Sequence, residues 1–428
     1  MPGDTVSVIR PRTYEEAAAA VRDCGARGTV ARGSGRAHGD AARNAGGAVL
    51  DMAGLDRIHV VDAAEGLVLC DAGVFLHRLA EVLLPLGWFV PVAPGPRPVT
   101  VGGAIGADLH GPNQHVSGSF SRHVLSLEML TADGEVRTVR PGTPLFEATA
   151  GGMGLTGVIL TATIRLLPVQ TSYLTVDTER APSLDVLMDR LAAADHRYRY
   201  SAARVDLTAR GAATGRGVLV RGDHTPLDAP GASPWRRLSA ALPRTPLPAA
   251  PAARLGRIAA GLVDGLWFHT VPRARTGELR RLSASLRPLH ALPQGGRSVV
   301  PYRFVVGHGQ EETLHRIVRR VAGRRGAAGP GVLKRFGEAD PGWLSFPLPG
   351  WSLALEFPAA LPGLAGLLDT LDEEVAAVGG RVCLAADGRL RPDLLAAMYP
   401  RLGDFRSLRA ELDPRGVFVS DLARRLGL

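Results

Sequence analysis

A chain of 428 residues, 46% hydrophobic and 21% charged, is globular and long enough for two or three domains and for a core that hides a large cofactor. No run of about 18 apolar residues offers a spanning helix, no basic segment and apolar stretch at the amino terminus marks a secretory signal, and Cys24, Cys70 and Cys383 are too scattered for a disulfide framework or a zinc site. The charge of +9 rests almost wholly on arginine, with Lys334 the single lysine; it favours phosphates, a diphosphate cofactor or an acidic membrane face, and not nucleic acid, since no basic stripe is interleaved with aromatics.

Residues 13–26 (TYEEAAAAVRDCGA) carry a capping residue, an acidic first turn and an alanine-rich body, which predicts a helix. Residues 28–32 (GTVAR) read as a buried strand opening into Gly33-Ser34-Gly35-Arg36-Ala37-His38-Gly39-Asp40. That loop imitates a dinucleotide fingerprint. Its third glycine is misplaced, however, and the turn-rich residues 40–47 (DAARNAGG) stand where a Rossmann unit needs a helix, so a Rossmann assignment fails.

Residues 48–52, 66–72 and 88–93 read as strands and 75–86 as a helix. Residues 94–120 (PGPRPVTVGGAIGADLHGPNQHVSGSF) then concentrate glycine and imidazole. Each glycine in a helix forfeits roughly 0.8–1 kcal/mol against alanine, so Gly102, Gly103, Gly106 and Gly111 argue against a helix and for bare backbone, whose N–H groups can approach a bulky diphosphate. Residues 124–140 are two apolar runs joined by Asp133-Gly134, a hairpin signal. A third glycine loop, residues 151–157 (GGMGLTG), precedes a strand at 158–167. Three such loops in one α+β unit imply an extended ligand.

After Pro168 a second domain is predicted, with strands at 173–176, 202–207, 299–306 (VVPYRFVV), 331–336 (GVLKRF) and 351–357 (WSLALEF) and helices at 183–194, 311–322 and 362–378. Within it, residues 222–275 are rich in Pro, Ala and Arg and read as a mobile excursion, either a disordered loop or a contact with an anionic membrane. Residues 381–385 read as a strand and 392–428 as mainly helical.

The ordered motifs TVGGAIGADLHGPN, GSF, TADGE, GLTG, LSFPLPGW, AMYPR and VFVSDLARRL make the chain resemble flavoproteins of the vanillyl-alcohol oxidase class, and within it the decaprenylphosphoryl-β-D-ribose oxidases. The likeness covers nearly everything except the Pro/Arg-rich excursion. It implies an α+β, two-domain PCMH-type FAD-binding fold: a discontinuous cofactor domain, residues 1–174 and 381–428, around a central antiparallel-sheet substrate domain, residues 175–380. It implies FAD wrapped by Arg32, Gly33, Ser34, Gly35, Arg36, Ala37, His38, Gly39 and Asp40, with Gly95, Thr100, Val101, Gly102 and Gly103 continuing the cradle. Ala107, Asp108 and Leu109 would meet the flavin side, Ile159 the adenine end, and Cys383 stands where the family has a tyrosine on the flavin.

The reaction implied is oxidation of a secondary hydroxyl on a polyprenyl-phosphate-linked pentose, or a similar sugar, to a ketone by hydride transfer to flavin N5, paired with a partner reductase. His110, assisted by Lys334, is the candidate catalytic pair, with Tyr302, Arg303 and Lys334 as substrate contacts and no metal. Plainer readings stand beside these. His110 could simply cap the glycine loop; His38 could be a loop cap, a flavin contact or a covalent attachment point; Lys334 could be a surface lysine lying on apolar side chains. Tyr302 and Arg303 are adjacent on one strand and so face opposite sides, which assigns one of them to the core.

Three departures from the resemblance stand out: the family lysine beside the flavin falls at Ala386, the family's reactive cysteine at Ala354, and a pocket glutamine at Arg303. They leave open the same chemistry on a sugar, aminocyclitol or nucleoside alcohol of a secondary metabolite, and also a flavin-binding protein without turnover. The expected location is the cytoplasm, with peripheral membrane contact.

Overall fold

Eight antiparallel strands make the largest sheet, in the order Ala274–Arg281, Tyr173–Ala181, Gly217–His224, Tyr200–Val205, Gly331–Phe336, Gly350–Pro358, Val299–Gly307 and Arg381–Val382. The computed structural model describes residues 6–92, 98–229, 268–269, 273–281, 299–324 and 329–428. Alternation along GVLKRF, WSLALEF and VVPYRFVV sends Leu333, Leu353, Leu355, Tyr302 and Phe304 to one face. That face is covered by the helices Leu184–Ala194, Glu311–Gly323 and Leu364–Ala376, through Leu187, Ile317, Leu368 and their neighbours. The other register, Arg303, Val332, Lys334, Ser352, Ala354 and Glu356, is left for a cleft.

The amino-terminal unit combines a parallel sheet, Ser7–Ile9, Ala48–Asp51 and Thr29–Arg32, with an antiparallel five-stranded one ordered Ile58–Asp62, Leu67–Asp71, Val158–Arg165, Val124–Leu130 and Val136–Val139. The carboxyl terminus returns to it. Thr29 N donates to Val417 O at 2.7 Å, and Val417 and Phe418 pack with Ala17, Val21 and Leu50. The amino-terminal unit is therefore completed by residues from both ends of the chain, in an α+β arrangement. No helix among the described residues is long and apolar enough to cross a membrane.

Several expectations are corrected. Residues Val101–Gly106, where glycine argued against a helix, form a short one. Thr100 Oγ accepts from Gly103 N at 3.2 Å as its cap, and Val101 N and Gly102 N donate to Val74 O and Ala72 O at 2.9 and 2.7 Å. A Cβ on Gly102 would stand 2.9 Å from the Ala72 Cβ, so the glycine permits a contact that outweighs its poor propensity. Thr100→Val is expected to lower stability by about 1 kcal/mol, read as a lower midpoint in urea. An unchanged midpoint would show that the helix does without its cap.

The predicted excursion is also too wide. Residues 222–224 continue the strand Gly217–His224, and 274–275 open the strand Ala274–Arg281. Residues 230–267 of it lie outside the described residues, as does Gly95. The strand predicted at 381–385 stops at Val382, and Leu384–Ala386 is a 3₁₀ turn. The short edge strands Ser7–Ile9 and Ile58–Asp62 carry too few alternating residues to be read from sequence.

Candidate active site

A cavity of about 490 Å³ lies where the amino-terminal unit meets the open face of the eight-stranded sheet. One wall is the loop after the strand Thr29–Arg32, contributing Arg32, Gly33, Ser34, Gly35, Arg36, Ala37 and His38. Ser34 Oγ donates to Pro98 O at 2.6 Å, tying this loop to the segment before the glycine helix. A second wall is Thr100, Gly102, Gly103, Gly106, Ala107, Leu109 and His110, backed by Gly154, Gly157 and Ile159. The third is the sheet itself.

An elongated diphosphate ligand fits this lining. The backbone carries no Cβ at residues 33, 35, 102, 103, 106, 154 and 157, the guanidinium groups of Arg32 and Arg36 add positive charge, and Ile159, Val332 and Leu355 offer apolar surface for ring systems. Among the described residues no cluster of three or more His, Cys, Asp or Glu could hold a metal ion.

His110 packs between Phe336 and Phe346, ring centroids 5.1 and 5.2 Å away, which restricts its imidazole. Lys334 is 9% exposed on the adjoining sheet face. Burial, reinforced by the Arg303 guanidinium, pushes its ammonium down to about 7, so near neutrality it exchanges between charged and neutral forms. Ser352 pairs with Lys334 across the two strands, and Ala354 pairs with both Arg303 and Val332. Ser352 and Glu356 were not singled out from sequence, although the period of two in WSLALEF sets Ser352, Ala354 and Glu356 on one face.

Other sequence-predicted residues lie off this cleft. Tyr302 turns to the opposite face, 3% exposed beneath the helices, where burial raises its hydroxyl well above the ordinary range. Val101 is fully buried in the core. Gly39 packs against Asp387, and Asp40 pairs with Arg425 at 2.8 and 2.9 Å, so both anchor the first loop to the carboxyl-terminal segment. Cys383 and Ala386 line a neighbouring cavity of about 290 Å³, which shares His38 and Arg303 with the cleft.

Asp108 is fully buried behind the glycine helix, accepting from Ser121 N at 3.2 Å and from Ser345 Oγ. Burial, with the charge of Asp340 added, raises its carboxyl well above the usual carboxylate range. Its backbone has φ of 40°, so it turns the chain from the helix toward His110. A raised value means that the folded protein favours the protonated acid. The associated stability is present below the ordinary carboxylate range and is lost as pH rises through the raised value toward neutrality. Asp108→Asn is therefore expected to flatten the fall in melting temperature across that interval; an identical fall in wild type and variant would contradict the assignment.

Residues 6–140 match a family described as an FAD binding domain. The chain is 37% identical to decaprenylphosphoryl-β-D-ribose oxidase from Mycolicibacterium smegmatis, across 99% of this chain and 94% of that protein. It is 58% identical to an uncharacterized protein from Streptomyces coelicolor, across 83% of this chain and 100% of the other. Alditol oxidase from a Streptomyces species is 27% identical across 98% and 95% respectively.

Proposed function

Because the chain belongs to the decaprenylphosphoryl-β-D-ribose oxidase family of FAD-linked oxidoreductases, we propose that it oxidises a secondary hydroxyl of a polyprenyl-phosphate-linked pentose or similar sugar to a ketone. The coarser description needs no proposal: the chain is an FAD-dependent oxidoreductase of the sugar-oxidising type. The observation that carries the finer reading is that one sheet face turns Lys334, Ser352 and Arg303 into the same glycine-walled cleft that His110 lines.

Bound FAD supplies an acceptor for the carbon-bound hydrogen as hydride. Residues 33–38 with Arg32 and Arg36, together with Thr100, Gly102 and Gly103, would hold its diphosphate. His110, restrained by Phe336 and Phe346, takes the hydroxyl proton. Lys334 and Ser352 hydrogen-bond the sugar, and Val332 and Ala354 exclude water from the reacting carbon. The same reading divides the chain into a cofactor domain of residues 1–174 and 381–428 and a substrate domain of 175–380, places it in the cytoplasm with peripheral membrane contact, and gives it a partner reductase.

A second reading keeps the chemistry and changes the alcohol to a sugar, aminocyclitol or nucleoside unit of a smaller metabolite. It is favoured by Ala386, which lines the cavity beside the cleft where the resemblance expects a lysine, and which can neither donate a hydrogen bond to the sugar nor stabilise an alkoxide. Steady-state oxidation with a dye acceptor over prenylphosphoryl-ribose, pentoses, alditols, nucleosides and aminocyclitols separates the two. Preference for the prenylated donor supports the first and preference for a small alcohol the second. Silence throughout, with FAD bound, contradicts both.

A further inference from the structure

Several arginines elsewhere in the fold meet carboxylates: Arg389 pairs with Asp369 and Asp372, Arg425 with Asp40 and Asp387, Arg122 with Asp340. Among the described residues three cations that line the cleft do not: Arg36 on the first loop, and Arg303 and Lys334 on the sheet. Among the described residues neither the Arg303 guanidinium nor the Lys334 ammonium makes a side-chain hydrogen bond or ion pair, and Lys334 is nine-tenths buried. They stand on the two strands flanking Gly350–Pro358, Arg303 opposite Ala354 and Lys334 opposite Ser352, so two long cationic side chains overlook a floor of two small residues. They share the cleft with Arg36, His38 and His110 on the facing loops, and the Arg303 guanidinium adds to burial in lowering the Lys334 ammonium. Glu356 lines the cleft further along the middle strand, opposite Pro301. Burying an unpaired cation beside another is costly, and the attraction of an anion seated between them offsets both the desolvation and the repulsion.

We propose that Arg303 and Lys334 form an anion-binding subsite that takes a phosphate or carboxylate carried by the substrate, and that Lys334 takes up a proton when the anion enters. The inference rests on the cleft being the substrate site, as proposed above. Arg303 supplies the planar fork and Lys334 the compact charge, so the subsite selects among sugars by charge.

The test is calorimetric binding to the FAD-loaded protein, which requires no turnover and so is distinct from the oxidation assay. Ribose, ribose 5-phosphate and ribonate are the probes. At least one anionic probe is expected to bind about tenfold or more tightly than ribose, with proton uptake near neutral pH revealed by buffers of different ionisation enthalpy. Preference for ribose 5-phosphate assigns a phosphate, preference for ribonate a carboxylate. Arg303→Gln should erase the advantage and Lys334→Met the proton uptake, each variant keeping its FAD absorbance and melting no lower than wild type. Equal affinity for all three probes, or an advantage undiminished in Arg303→Gln, overturns the proposal. Should either variant lose FAD, the salt dependence of the wild-type advantage decides: an advantage that survives high salt unchanged also overturns it.

Discussion

His110→Gln is expected to lower kcat/KM for the sugar substrate by about 100-fold or more while FAD stays bound, because a positioned proton acceptor contributes on the order of 10²–10⁴ in rate. His110 is held by edge and tilted contacts with Phe336 and Phe346, two rings that also contact one another at 6.0 Å, so packing restricts its orientation. Glutamine keeps hydrogen-bonding capacity and loses basicity, and the loss should fall on kcat more than on KM. A variant that keeps its flavin spectrum and turns over within twofold of wild type would return His110 to a purely structural role.

Gly39→Ala is expected to cost at least about 3 kcal/mol and to release FAD. An added Cβ would lie 1.4 Å from Asp387 O, an overlap that needs one backbone to move. The Asp387 side cannot yield freely: its carboxylate accepts from Leu390 N at 2.9 Å, Arg389 N at 3.0 Å and Arg425 at 2.9 Å. His38 N, one residue earlier, donates to Ala385 O at 3.1 Å, so the cofactor loop would lose its registration. Gly388→Ala is the control, since its Cβ would meet only Gly39 Cα at 3.5 Å, an ordinary contact. Soluble Gly39→Ala protein with full FAD content and an unchanged melting temperature would refute the clamp between first loop and carboxyl-terminal segment.

Local chemistry made much of this legible. Thr13 and Ser183 cap helices that begin immediately after them, and Asp133-Gly134 turns a hairpin, because those signals act within a few residues. Alternation was enough to separate Arg303 from Tyr302 and to put one in the cleft and the other in the core. Propensity failed where tertiary contact dominates: the glycines at 102 and 103 look unhelical in isolation, yet the cap at Thr100 and the approach to Ala72 make a helix of them. The family resemblance gives Gly39 and Asp40 to the cofactor with the rest of the first loop, whereas their partners, Asp387 and Arg425, lie more than 300 residues away in sequence and cannot be paired with them from local pattern. Asp108 was assigned to the flavin by position, and its actual surroundings, Ser121 and Ser345, come from two separate segments.

Anaerobic single turnover tests the central claim most directly. Protein carrying FAD is mixed with the best alcohol from the panel, the loss of flavin absorbance is followed, and the carbonyl product is trapped and counted. Wild type should bleach fully with one equivalent of ketone per FAD, and His110→Gln should bleach about 100-fold or more slowly. Bleaching without a matching carbonyl, or an equal rate in the variant, would contradict the central claim.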